Sequence, residues 1–175
     1  ANGYQVVFAK NFTDIDDKII KKMKEEGKSL DEITNFYIKT YKNDMEILNI
    51  LPNSFEPKAT ENLDAMKEMI ENLLSKDIAY KTDDSVYFDV SKDKNYGSLS
   101  NQASDENSQA RVEINNQKRN SSDFALWKFE KASDVSFASN FGAGRPGWHI
   151  ECSAMIEKHL AYKDEPFQID IHCGG

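Results

Sequence analysis

Cysteine is scarce in this sequence: the 175 residues contain two, Cys152 and Cys173. Two thiols cannot build the disulfide framework of a small secreted domain, so a reducing compartment, the cytoplasm, is the expected setting. Long apolar runs are lacking too. Stretches such as Val6-Val7-Phe8-Ala9 fall far short of the roughly 20 residues a spanning helix needs, so no membrane role is expected. No basic-then-apolar leader opens the chain. Excess positive charge is absent: 22 Lys and Arg stand against 30 Asp and Glu, a net −8. That balance excludes a protein that coats nucleic acid along its whole surface, but not one that meets RNA through a local patch. Internal repeats and low-complexity tracts are absent as well. An initiator Met is missing, and the chain stops at Gly174-Gly175 just after a strand-like run, so it reads as an excerpt of a longer protein. What is present is ordinary globular material, 39% apolar and 30% charged, enough for one domain or one domain split by an insertion.

Along the chain, Tyr4 to Ala9 is β-branched, aromatic and nearly continuous in apolar character, which predicts a strand buried in a parallel sheet. A polar turn from Asn11 to Asp17 leads into a helix that Thr13 or Asp14 can cap. Ser29-Leu30-Asp31-Glu32 is a capping box, opening a helix with Ile33, Phe36, Tyr37, Tyr41, Met45 and Leu48 as its apolar positions. A further helix spans about Thr60 to Ser75, with Ala59, Leu63, Met66, Ile70 and Leu73 on one face. Strand signals follow at Ile78 to Lys81, Val86 to Val90 and Asp123 to Phe129. The Ser-, Asn- and Gln-rich stretch from Ser100 to Ser122 reads as a loop or weakly ordered arm. Pro146 is placed to open a helix to about Leu160, and Phe167 to Ile171 is the last expected strand.

Chemistry-bearing residues fall into clusters. Asn11 to Asp17 sits past the end of an expected strand, where open α/β sheets bind ligands. The acids do not fit a calcium loop, since Lys18 and Ile19 occupy ligand and glycine positions. From spacing alone, a capped, acid-rich helix start is the preferred explanation. In Gly144 to Met155, two glycines and a proline make a tight approach into a helix. Trp148, His149 and Cys152, three and four residues apart, project on one side of it. Such a group suits a metal or substrate pocket, or a cysteine packed beside an aromatic. One Cys and one His do not complete a zinc site, which needs about four ligands. Asp170 to Gly175 ends in glycines that let backbone approach a nucleotide, or simply turn the chain.

Taken together, these residues resemble the cysteinyl-tRNA synthetases. The resemblance rests on Asn11 to Ile20, Glu56-Pro57 with Ala59-Thr60, Asp123-Phe124 with Leu126-Trp127-Lys128, the run Gly144 to Met155, and Asp170 with His172 and Gly174-Gly175. The order and spacing match that family over essentially the full length.

The resemblance implies an α/β fold: a Rossmann-type class I catalytic core interrupted by a connective-peptide insertion. Residues 1–27 would form the first part of the core, 28–122 the insertion, and 123–175 the second part. The strands at Tyr4 to Ala9 and Phe167 to Ile171 would then share one parallel sheet. It further implies activation of cysteine with ATP and Mg2+, then transfer to tRNA(Cys), by a monomer that carries Zn2+. Thr13, Trp148 and His149 match residues of the amino-acid pocket, and His172, Gly174 and Gly175 the adenosine side. Cys152 matches one of four zinc ligands, whereas Cys173 replaces a usual glycine and is not counted. The HIGH-type and KMSKS-type motifs and the other zinc ligands do not occur within these residues. No catalytic residue is therefore expected here, and the excerpt alone is expected to be inactive. Two rivals share the core: a cysteine ligase that acts on an amino-sugar, and a non-catalytic binding module.

Overall fold

A computed structural model describes residues 3–98, 117–130 and 135–173. Helices α1 (Asp17–Glu26), α2 (Leu30–Ile47) and α3 (Leu63–Ser75) come first. Strands β1 (Ala79–Lys81), β2 (Ser85–Phe88), β3 (Phe124–Phe129) and β4 (Gly144–Pro146) follow, then α4 (Trp148–His159). The chain divides into two compact units, one of residues 1–66 with 151–175 and one of residues 67–150.

In the first unit, α1 starts one turn later than the acid run suggests. Its cap is Asp16, not Thr13 or Asp14: Asp16 Oδ1 accepts from the Ile19 amide at 2.6 Å. Thr13 and Asp14 are engaged elsewhere, as described below. The helix ends at Gly27, whose φ of 62° is the left-handed conformation that glycine adopts without strain. Ser29 and Glu32 form the expected capping box, with Glu32 accepting from the Ser29 amide at 2.8 Å. Ile20 of α1 and Ile33 of α2 are buried, as expected of facing positions. Phe36 is not: it is 63% exposed, because the buried residues of α2 are confined to Ile33 and Thr34 in its first turns. A 3-10 turn at Thr60–Asn62 leads into α3, and Ala59 and Met66 are fully buried there.

The two outer strands of the sequence reading do not form among the described residues. Phe8 to Phe12 does pair in parallel, but with the segment from Ser54 to Ala59, through isolated bridges Ala9↔Phe55 and Phe12↔Lys58. One such neighbour does not bury a strand on both faces, and Tyr4 and Val6 stay 85% and 73% exposed. Phe167 to Ile171 bends back on the end of α4 instead. The Tyr162 amide donates to the Gln168 carbonyl at 3.0 Å, and its hydroxyl to Asp170 at 2.8 Å. The first of these bonds occupies the Gln168 carbonyl, and the second ties the Asp170 side chain to the same tyrosine.

The second unit is built on an antiparallel sheet in the order β1-β2-β3-β4. Its strands match the three runs read from sequence, and β4 adds a fourth. Irregular register between Val86 and Tyr87 marks a bulge against β3. Ile70, Val86, Leu126 and Trp127 fill the core. Pro146 ends β4 opposite Trp127, and α4 begins two residues later at Trp148. Proline suits that place because an edge strand does not need its missing N–H. Gly147 has to be glycine: a Cβ there would stand 1.9 Å from the Ala125 carbonyl oxygen. Of the stretch read as a loop or weakly ordered arm, residues 100–116 lie outside the described residues.

One carboxylate ties this unit together. Asp123 is 1% exposed and accepts from Tyr80 Oη at 2.7 Å and from the Val90 and Asn120 amides, both at 3.0 Å. Removing it strands buried donors, each worth about 1–3 kcal/mol. Asp123→Ala is therefore expected to lower stability by about 2–4 kcal/mol in urea unfolding, and Tyr80→Phe by about 1 kcal/mol. Equal losses from the two variants would contradict this ranking.

Candidate functional site

The segment from Asn11 to Asp14 forms no strand beyond the bridge at Phe12, and its side chains divide between two partners. Asn11 and Thr13 share one side. The Thr13 hydroxyl donates to Glu151 Oε2 at 2.9 Å, and the Cys152 thiol lies 3.9 Å from Asn11 Oδ1, a weak S–H···O contact. Asp14 turns the other way, accepting from the Thr60 amide at 2.9 Å and from its hydroxyl. These contacts pin the segment between the first turn of α4 and the start of the 3-10 turn. The far end of α4 is fixed as well. Asn62, itself buried, accepts from Lys158 at 2.9 Å and shares a 2.8 Å bond with the His159 ring.

Glu151 is the residue that the sequence reading passed over. It is 1% exposed and lies on the same helical face as the buried Ala154 and Met155. A carboxylate on an apolar stripe was the available signal. Burial pushes its pKa up to about 7; Asp14 and Asp16 add to the rise, while the Thr13 hydroxyl opposes it. Burial likewise raises the Cys152 thiol, and the Glu151 charge adds to that. Bringing Cys152 to the thiolate therefore calls for a nearby cation.

Trp148 and His149 belong to the second unit. Both are exposed, with ring centroids 5.7 Å apart, and His149 packs against Phe124 at 4.8 Å. Although the residue as a whole reaches solvent, desolvation of its ring lowers its pKa. The cations of Lys118 and Lys128 lower it further. An exposed indole beside a neutral imidazole makes an amphipathic surface rather than a core contact.

His172 and Cys173 are exposed and lie outside any strand, while Gly174 and Gly175 fall outside the described residues. Among the described residues, no three His, Cys, Asp or Glu side chains converge as metal ligands. Cys152 is thus one thiol donor and does not by itself make a zinc site. A cavity of about 410 Å³ lies in the first unit, lined by Lys10, Phe12 and Thr13 and by Ile33, Tyr37 and Tyr41 of α2. It is largely apolar and was not foreseen, since those α2 positions read as core. No helix among the described residues is long and apolar enough to cross a membrane.

Against this geometry, comparison with known proteins places the chain in a class. Residues 1–175 match the family described as tRNA synthetases class I (C) catalytic domain, and the chain belongs to that family. Among curated relatives, the cysteine–tRNA ligase of Aliarcobacter butzleri is 74% identical over 99% of this chain, and that of Nitratiruptor sp. 62% over 100%. A third, from Sulfurovum sp., is 55% identical over the whole chain. The chain spans 37% to 38% of the length of these relatives.

The His149 environment yields a prediction. A folded-state pKa below the unfolded 6.5 means that the stability linked to this ring is present above pH 6.5 and is lost as pH falls through the folded value. NMR titration of the ring is expected to give a midpoint below 6.5, moving upward in Lys128→Met. A midpoint at or above 6.5 in the wild type would contradict the assigned environment.

Proposed function

We propose that the full-length protein carrying this chain is a cysteine–tRNA ligase. It would activate cysteine with ATP and Mg2+ to cysteinyl-adenylate and pass the cysteinyl group to tRNA(Cys). The observation that carries this reading is 74% identity over 99% of the chain to a curated cysteine–tRNA ligase. The relatives reported above are named as tRNA ligases, which favours this reading over an amino-sugar ligase. In this reading residues 1–27 and 123–175 belong to the catalytic core and 28–122 are inserted. The protein works as a monomer in the cytoplasm.

Thr13 meets the amino group of cysteine, and Trp148 and His149 line the amino-acid side. The surroundings support these roles. Thr13 is fixed by a buried partner, and a neutral imidazole beside an indole offers a surface for a small, partly apolar side chain. His172, Gly174 and Gly175 serve the adenosine of ATP, with backbone approach eased by the glycines.

Cys152 supplies one thiolate to a zinc ion whose other ligands lie beyond the described residues. When bound, zinc supplies a preference for thiolate over alcohol, which size alone cannot give for serine against cysteine. Cys152 is half-buried, and burial with the Glu151 charge holds its thiol protonated, so zinc binding there would have to displace a proton.

The test is cysteine-dependent ATP–pyrophosphate exchange by the full-length protein, with zinc content measured alongside. Wild type is expected to exchange with cysteine and not with serine. Cys152→Ser, nearly equal in volume, is expected to lose most of its zinc and at least about tenfold of the cysteine-to-serine activation ratio. Unchanged zinc and an unchanged ratio would refute the ligand assignment. Absence of exchange in wild type would refute the function.

A further inference from the structure

Thr13 carries one hydroxyl proton, and an ionised Glu151 beside it takes that proton as a hydrogen bond. It is donated at 2.9 Å to Glu151, a residue 1% exposed. A hydroxyl whose proton is spent can offer only its lone pairs to another group. Any ligand atom that meets Thr13 Oγ1 must therefore be a donor. The surrounding charge agrees, since Asp14 and Asp16 flank the segment and favour a cation.

Glu151 is held where it is from both directions. It stands in the first turn of α4 on the face that carries Ala154 and Met155 into the core. The next residue, Cys152, contacts Asn11 from the same side of the same segment. Rotating Glu151 away would cost its buried carboxylate the Thr13 hydrogen bond. The packing of α4 thus holds a carboxylate against Thr13, and the ionised form of that carboxylate makes Thr13 an acceptor toward other groups.

We propose that Glu151 is a positioning residue for amino-acid recognition: it fixes the Thr13 hydroxyl as an acceptor for the substrate's ammonium group. The inference rests on the cysteine-activation reading above and adds to it a residue that does not touch substrate.

The experiment uses the full-length protein and the variants Glu151→Gln, Thr13→Val and their combination. Pyrophosphate exchange gives KM for cysteine and for ATP. Inhibition by 3-mercaptopropionate, which has the thiol and carboxylate of cysteine but no amino group, gives a control that Thr13 should not sense. Glutamine keeps the size of Glu151 but can present a donor to Thr13, competing with the ammonium for its lone pairs. Glu151→Gln is expected to raise KM for cysteine about tenfold, as loss of a charge-assisted hydrogen bond would. KM for ATP and the 3-mercaptopropionate inhibition constant should move less than about twofold, on the ordinary scale of distant effects. In the Thr13→Val background, Glu151→Gln should add nearly nothing. Additive losses, or equal weakening of cysteine and 3-mercaptopropionate, would overturn the proposal while wild-type exchange still upholds the activity. Wild-type protein that does not activate cysteine would overturn both.

Discussion

The hydrogen bond from Thr13 to Glu151 is the contact on which the organisation of the first unit turns. It joins residues 138 apart in sequence, and it does so inside a buried environment where an unmet carboxyl would be costly. The segment that carries Thr13 is fixed on its other side by Asp14 at Thr60, and along its backbone by the pairing with Ser54 to Ala59. A strand-like stretch with few sheet neighbours is thereby made rigid by side chains. Rigidity of this kind is what a recognition site needs, because a misplaced donor or acceptor loses much of its effect.

The glycines of the Gly144 to Gly147 run have a related role in the second unit. Gly147 lets the chain pass against the Ala125 carbonyl, and its amide donates to the Leu126 carbonyl at 2.8 Å. The turn from β4 into α4 is set by this close approach. Trp148 and His149 follow at once and are presented on the surface beside Phe124. In the same unit, Asp123, just before β3, is bonded to Tyr80 of β1 and to the Val90 amide in the turn after β2. Sequence, close backbone approach and surface chemistry are thus linked within a few residues.

Much of this was legible in the sequence. The Ser29 capping box, the α3 face of Ala59, Met66 and Ile70, and the three strand runs follow from local propensity and period, and local rules govern them in the fold. Tyr4 to Ala9 and Phe167 to Ile171 depart from expectation for one reason. Apolar, β-branched composition marks a segment that can be a buried strand, but strand formation depends on partners that local pattern does not specify. Asp16 displaces Thr13 and Asp14 as the α1 cap because those two have tertiary partners. Glu151 is visible as an acid on an apolar stripe, yet its partner lies in a distant segment that no spacing rule connects to it.

The central claim is that Thr13, polarised by Glu151, receives the substrate's ammonium. The most direct measurement is a crystal structure of the full-length protein with a non-hydrolysable cysteinyl sulfamoyl-adenosine. The account predicts the amino nitrogen within about 3 Å of Thr13 Oγ1, with the Thr13–Glu151 hydrogen bond intact. An amino group bound elsewhere, or a Thr13 hydroxyl turned away from Glu151, would contradict it.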